Sequence, residues 1–401
     1  MDSTLRQTMA ESIIYSGGDV AYGDIYKYTV NYDPTNANLN FGLQGGGKTL
    51  TDFAPGVVSN PVAQNGAQTI QLDSFSEAFR NMDTFMLMPE NERLAYKYRN
   101  KYASLESDLV YDPTMSTYQN NTGWFRPYTT FENIPLKNGP KVSNVTYGSF
   151  FGYDSALHEL GKGWDGTLGV YAGYTGSHQS FNGNSVYQNG GTLGILGVAY
   201  KGNFFTGLTA NIGATAGSTS NIQGEDNFTA LLGGISSKTG YNFELADGKV
   251  ILQPSMIMSY SMVNTFDYTN ASGVRMKSDP YHTLQLEPGL KVIGNIGTWQ
   301  PYANVSMVWN VLNAQKIYAD NVRLPEYEVK PYVKYGVGLQ KRWGDKFTAY
   351  GQAYVTNGGR NGVGLQAGLR IAIGEETVKS KAAWLTPKKK DTIIVLDGKV
   401  K

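Results

Sequence analysis

The stretch "RNGVGLQAGLRIAIG" (360–374) places Val363, Leu365, Ala367, Leu369, Ile371 and Ile373 on every second position. Gly364, Gln366, Gly368 and Arg370 lie between them. A period of two is the signature of a β-strand with unlike faces. "LQLEPGLKV" repeats it, with Leu284, Leu286, Pro288, Leu290 and Val292 against Gln285, Glu287, Gly289 and Lys291. "VKPYVKYGVGL" sets Val329, Pro331, Val333, Tyr335, Val337 and Leu339 against Lys330, Tyr332, Lys334, Gly336 and Gly338. From Trp124 to Ile373 this unit recurs, about ten alternating residues and then a turn. Strands are expected to begin near Trp124, Val142, Trp164, Thr192, Phe204, Asn227, Val250, His282, Gln300, Val329, Phe347 and Gly362.

The connections say what kind of sheet this is. After even-numbered strands they are short and turn-like: "GKG", "KGN", "ADGK", "GNIGT" and "WGDK". After odd-numbered strands they read as longer and irregular, as in 176–190 and 264–281. Loop length that follows strand parity is a feature of outer-membrane barrels, with long loops outside and tight turns in the periplasm. A Greek-key sandwich gives no reason for it. Trp124, Trp164, Phe204, Phe205, Trp299, Trp343 and Phe347 sit at strand ends beside the turns or open the first strand, where a girdle at the lipid headgroups belongs. The expected fold is all-β, a twelve-stranded antiparallel transmembrane β-barrel over 123–374 with an N-terminal helical linker or plug. On this reading Val363, Leu365, Leu369 and Ile371 face lipid. Arg126, Glu132, Glu287, Lys291, Lys330, Lys334 and Arg370 face the lumen, because a lysine or arginine against lipid costs about 2–4 kcal/mol at the midplane.

Upstream of the barrel, residues 74–107 carry the one strongly helical pattern. Ser74 and Glu77 fit a capping box, Phe75, Phe79, Met82 and Met86 follow helical spacing, and Pro89 divides two helices. The second helix, from Glu90 to about Ala103, bears Arg93, Lys97, Arg99 and Lys101 and is the expected pore helix. The resulting division is 1–65 for a remnant of an upstream part or the end of a β-helix, 66–122 for a helical linker, 123–374 for the barrel and 375–401 for a C-terminal tail.

Composition narrows the function. Net charge is +1 and charged residues make up 17% of the chain, so no nucleic-acid partner is expected. Cysteine is absent. That excludes disulfides and thiolate metal sites, and suits passage through an oxidising compartment. No run of about 18 apolar residues offers a helical membrane span. His158, His178 and His282 are scattered over turns and loops, with no metal spacing and no GxSxG. "GVGLQAG" (362–368) lies inside a strand and opens no helix, so it is no dinucleotide loop. The chain reads as a non-enzyme without cofactor or metal. Its first residues lack a signal peptide's apolar core, so it is expected to be the C-terminal piece of a longer exported protein.

Four stretches, "GWFRPYTTFE" (123–132), "LEPGLKVI" (286–293), "WQPYANVSMVWN" (299–310) and "FTAYGQAYVTNGGRNGVGLQAGLRI" (347–371), make the chain resemble the classical autotransporters of type V secretion. The resemblance covers about 123–373 and implies a translocator in the outer membrane of a diderm bacterium. Such a domain lets an N-terminal passenger reach the cell surface through its pore. Its implied partners are outer-membrane lipid, the barrel-assembly machinery and its own passenger, with the barrel a monomer. Chains of that family usually stop at a terminal aromatic residue, whereas 375–401, with "PKKKDTIIVLDGKVK", follow here. A stand-alone porin-like channel with an internal helical plug is the alternative.

Overall fold

The computed structural model describes residues 14–15, 20–33, 35, 38–93, 121–343 and 347–373. Twelve long strands follow one another around a closed antiparallel barrel. They are β1 (Asn121–Pro135), β2 (Lys141–Asp154), β3 (Trp164–Phe181), β4 (Asn184–Lys201), β5 (Phe204–Asn221), β6 (Gly224–Tyr241), β7 (Val250–Thr265), β8 (Tyr281–Gly294), β9 (Trp299–Ala314), β10 (Tyr332–Trp343), β11 (Phe347–Gly358) and β12 (Asn361–Ile373). Each pairs with its neighbour, and β12 closes on β1 from Asn361↔Asn133 to Ile373↔Asn121. Closure leaves the barrel without an edge strand, so its backbone groups are paired around the whole circuit.

Alternation decides the faces as the sequence pattern predicts. Val363, Leu365, Leu369 and Ile371 are exposed on the outside, while Arg370 is buried within. On β3 and β4, Leu168, Val170, Leu193 and Ile195 form part of the same outer apolar belt. Trp299, Trp343 and Phe347 are exposed at its lower edge, beside the connections that follow even strands (the even rim). Lys341 Nζ lies 4.0 Å above the Trp299 ring centroid there. Tyr174 stands ten residues along β3 from Trp164. At about 3.3 Å per residue and a tilt near 40°, that is roughly 25 Å, the height of a membrane-facing band.

Three expectations need correction. Trp124 and Phe205 point inward rather than into a girdle: Trp124 donates from Nε1 to Asp154 Oδ1 at 3.1 Å, and Phe205 joins an interior apolar cluster. Residues 176–190 are not a loop, because β3 and β4 run on to a two-residue turn at Asn182 and Gly183, both with positive φ. For that reason β4 begins at Asn184, well before Thr192. Long connections after odd strands are found only at 266–280 and 315–331. Their short strands Tyr268–Thr269, Arg275–Ser278, Ile317–Ala319 and Val322–Arg323 form a four-stranded sheet over the odd rim.

The largest difference is the helix. One helix, α1, runs from Pro55 to Met86, with proline at the helix start where a missing N–H costs nothing. Ser74 is therefore no cap: it sits mid-helix, donating from Oγ to Gln71 O at 2.9 Å. The boundary expected at 65 falls inside α1. At 1.5 Å per residue the helix is about 48 Å long, enough to traverse the barrel from rim to rim. Ahead of it, Ile14–Tyr15, Val20–Tyr22, Lys27–Asp33 and Asn38–Leu43 form a second four-stranded sheet. Leu50 N donates to Asn138 O at 2.8 Å and Gln223 Nε2 to Gly23 O at 3.0 Å, which seats that sheet on the odd rim.

Candidate functional site: a pore filled by a helix

The direction of α1 is fixed by its ends. Gly56 N donates to Gln223 Oε1 at 2.8 Å, on the β5–β6 turn of the odd rim. At the other end Asn242 Nδ2, just after β6 on the even rim, donates to Met86 O at 2.7 Å. Gln340 Nε2 similarly reaches Thr84 O at 3.1 Å. Barrel amides thus satisfy two of the carbonyls that every helix C-terminus leaves open.

Three zones hold the helix along its length. Near the odd rim the packing is apolar: Val57, Val58, Val62 and Ile70 share one cluster with Val274, Met276, Ile317, Leu324 and Tyr327 of the overlying loops. Close approach matters there. A Cβ at Gly66 would stand 2.3 Å from Gln188 Nε2 and 2.5 Å from Gln179 Oε1, so a larger residue would have to push those amides aside. Toward the even rim Phe79, Met82, Phe85 and Met86 pack on Leu196, Val198, Tyr200 and Phe205. Between the two the helix is held by charge and amide. Asn211 Nδ2 donates to Ser74 Oγ at 2.7 Å, and Arg360 bridges Thr69 Oγ1 at 2.7 Å and Glu132 Oε2 at 2.9 Å. Arg126 Nη1 donates to Glu77 O, and its guanidinium lies 4.1 Å over the Trp124 ring. Asp83 gathers Lys238, Lys291 at 3.1 Å and Arg80 at 3.9 Å. Arg80 Nη2 also reaches Gln366 Oε1 at 2.5 Å.

The residues expected in the lumen divide clearly. Arg126, Glu132, Lys291 and Arg370 are buried inside, Arg370 ion-paired with Asp154 at 3.1 Å. Glu287 and Lys334 pair with each other at 3.3 Å, and Ser306 Oγ adds a hydrogen bond to Glu287 at 2.6 Å. Lys330 is a correction: it precedes β10 and is exposed at the odd rim, because the strand starts only at Tyr332. The expected pore helix is a second correction. Arg93 lies in a single turn, 90–93, at the even rim and not inside the barrel, with its guanidinium donating to Met88 O, Asn203 Oδ1 and Gly202 O. Burial pushes that guanidinium down to about 10, with Glu244 and Glu90 opposing, so it is charged at neutral pH. Lys97, Arg99 and Lys101 lie outside the described residues, as does the tail 375–401. Glu92 accepts from Arg342 at 2.7 Å and, with Arg93, ties this turn to the mouth.

Of the charged residues that line the pore from the helix, sequence reasoning misses Asp73, Arg80 and Asp83 and reads Glu77 only as a capping-box partner of Ser74. Their spacing of three and four places them along one side of a helix, which is the signal that was available. Together the geometry is that of a barrel whose interior is occupied by the chain that precedes it.

Known proteins share this geometry. The sequence pattern described as the autotransporter beta-domain matches residues 123–354. The β-domain of the Bordetella autotransporter BrkA superposes with a TM-score of 0.53 at 17% identity, over 63% of this chain and 100% of that one. The translocator domain of NalP from Neisseria meningitidis gives 0.55 at 13% identity, over 76% and 99%. The transport unit of AIDA-I from Escherichia coli gives 0.52 at 14% identity, over 72% and 99%. Among curated proteins none matches this chain in sequence. The match to the β-domain spans more than half of the chain, and with it this protein belongs to the autotransporter family, its barrel being an outer-membrane translocator.

Proposed function

We propose that the odd rim faces the cell exterior and that α1 is the last part of a passenger's path through the pore. The observation that carries this is the threading: Pro55 is at the odd rim and Met86 at the even rim, while β1 starts at the even rim beside Asp154. A chain that enters the barrel wall from the even side, having come down the lumen from the odd side, leaves everything before Pro55 at the odd rim. The sheet formed by residues 14–43 is then the surface-exposed end of the passenger. The apolar belt and its aromatic edge support contact with outer-membrane lipid, and a barrel of this kind is delivered by the barrel-assembly machinery and works as a monomer.

The domain acts as a transport unit. Its histidines lie apart: His282 Nδ1 hydrogen-bonds Tyr260 OH at 2.7 Å, His178 stacks edge-on against Tyr187, and His158 is exposed near the even rim. Among the described residues no group of histidines and carboxylates is arranged to hold a metal ion.

An epitope placed ahead of Ile14 tests the orientation. In intact cells an antibody should reach it, while an epitope in the β6–β7 connection (242–249) should be reached only after the outer membrane is opened. The opposite labelling pattern would refute the orientation.

A further inference from the structure

The helix does not fill the barrel evenly. It leans on the wall formed by β2 to β7 and stands away from β8 to β11. The gap holds a cavity of about 70 Å³ at mid-height. Ser76, Phe79, Arg80 and Asp83 border it from α1, at the spacing that puts four side chains on one helix face. The barrel contributes Lys238, Glu287, Lys291 and Lys334 among others, so four cations face two carboxylates.

We propose that this cavity binds a small inorganic anion, with chloride as the abundant candidate. Charge comes first. Within the lining Asp83 serves Lys238, Lys291 and Arg80, and Glu287 serves Lys334, so four lining cations share two lining carboxylates. Glu77 and Asp73 do not border the cavity but act on its cations from behind, Glu77 on Arg80 and Lys334 and Asp73 on Lys334, while Glu77 also accepts from Tyr350 and Asp73 lies near Glu132 and Arg360. Charges taken from water are tolerated when paired, and excess charge of one sign is costly. Donors come second. Arg80 is 8% exposed, and its Nε–H has no hydrogen-bond partner among the described residues. A buried guanidinium donor of that kind wants an acceptor. Space comes third. A cavity of this measure admits more than one water, since a single water needs about 10–15 Å³, and a halide ion is of water's size. An anion there would meet Arg80 from the helix and lysines from the wall, adding a further tie between plug and barrel beside the Asp83–Lys291 and Arg80–Tyr302 contacts.

Two measurements test the proposal. Crystals of the full chain grown or soaked in sodium bromide should show anomalous density in this cavity, beside Arg80 and the lysines. Anomalous peaks confined to the outer surface would overturn the site. In detergent, the thermal midpoint of the intact chain should be higher in sodium chloride than in sodium gluconate at equal ionic strength. The shift should be about 3–5 °C for each tenfold excess of chloride over its dissociation constant. Lys334→Met should remove that difference, and Glu287→Gln, which deletes a competing carboxylate, should enlarge it. Lys137→Gln, at the odd rim outside the cavity, should leave it unchanged. An identical midpoint in both salts for the unmodified chain would overturn the anion site.

Discussion

Asp83 of α1 and Lys238 of β6, 155 positions apart in the chain, form a buried ion pair inside the pore toward the even rim. Lys291 and Arg80 share the same carboxylate. Removing the acid leaves three buried cations around a neutral amide, whereas removing one lysine leaves the carboxylate two partners. Breaking a buried pair from one side costs about 3–5 kcal/mol. Asp83→Asn should therefore loosen the helix much more than Lys238→Met. Protease cutting within 55–86, in detergent, reads the difference, and equal cutting of the two variants would show that the cluster does not retain the plug.

Deleting residues 55–86 should open the pore. The lumen is filled along its length by α1, so the shortened chain should conduct several-fold more than the intact one in planar bilayers. A folded barrel, shown by its altered gel migration before boiling, is the necessary control. Equal conductance in the two proteins would place the helix outside the barrel in the membrane.

The outer belt makes a depth prediction. Leu365 pairs with Ala353 and Thr129 well above the even rim, while Leu369 pairs with Ala349 and Phe125 closer to it. An arginine on the lipid face costs about 2–4 kcal/mol at the midplane and falls to about 0–1 near the interface. Leu365→Arg should accordingly impair insertion into lipid vesicles more than Leu369→Arg. The reverse order would move the membrane band along the barrel.

The strands were legible in the sequence because a barrel wall has two solvents, and alternation reports both. Gln285 and Lys291 against Leu290 and Val292 on β8 is a pattern that burial then repeats. The helix was not legible in the same way. An amphipathic stripe needs a wet face and a dry one, and α1 is enclosed on every side, with Gln64, Asn65 and Gln68 as buried as Val62 and Ile70. Gly56, Pro61 and Gly66 also read as breakers, although Gly66 lies inside the helix close against the Gln188 amide. Loop lengths misled at 176–190 because β3 and β4 outgrow the membrane band, so polar residues that resembled a loop are strand standing in water. Trp124 misled because the girdle argument ignores the lumen, where Arg126 supplies a partner for its ring.

Inward aromatic rings lie flat across glycines on the next strand, and this supplies the last prediction. A Cβ on Gly364 of β12 would stand 2.1 Å from Tyr354 Cζ on β11, and one on Gly368 would stand 2.2 Å from Tyr350 Cε1. Tyr354 cannot swing aside freely, because its hydroxyl bonds Thr130 Oγ1 at 3.1 Å on β1 and Lys334 Nζ lies 5.3 Å over its ring. The ring therefore links three neighbouring strands across the seam where the barrel closes. Gly364→Ala should cost about 1–3 kcal/mol, the usual penalty for overpacking. Gly351, on the outer face of β11, has no atom within 4 Å of the same position, so Gly351→Ala should be nearly neutral. Urea unfolding of the barrel in lipid vesicles measures both. Tyr354→Ala combined with Gly364→Ala should cost less than the two single changes added together, because the first removes the ring that the second strikes. Simple additivity would mean that the ring and the glycine are not in contact.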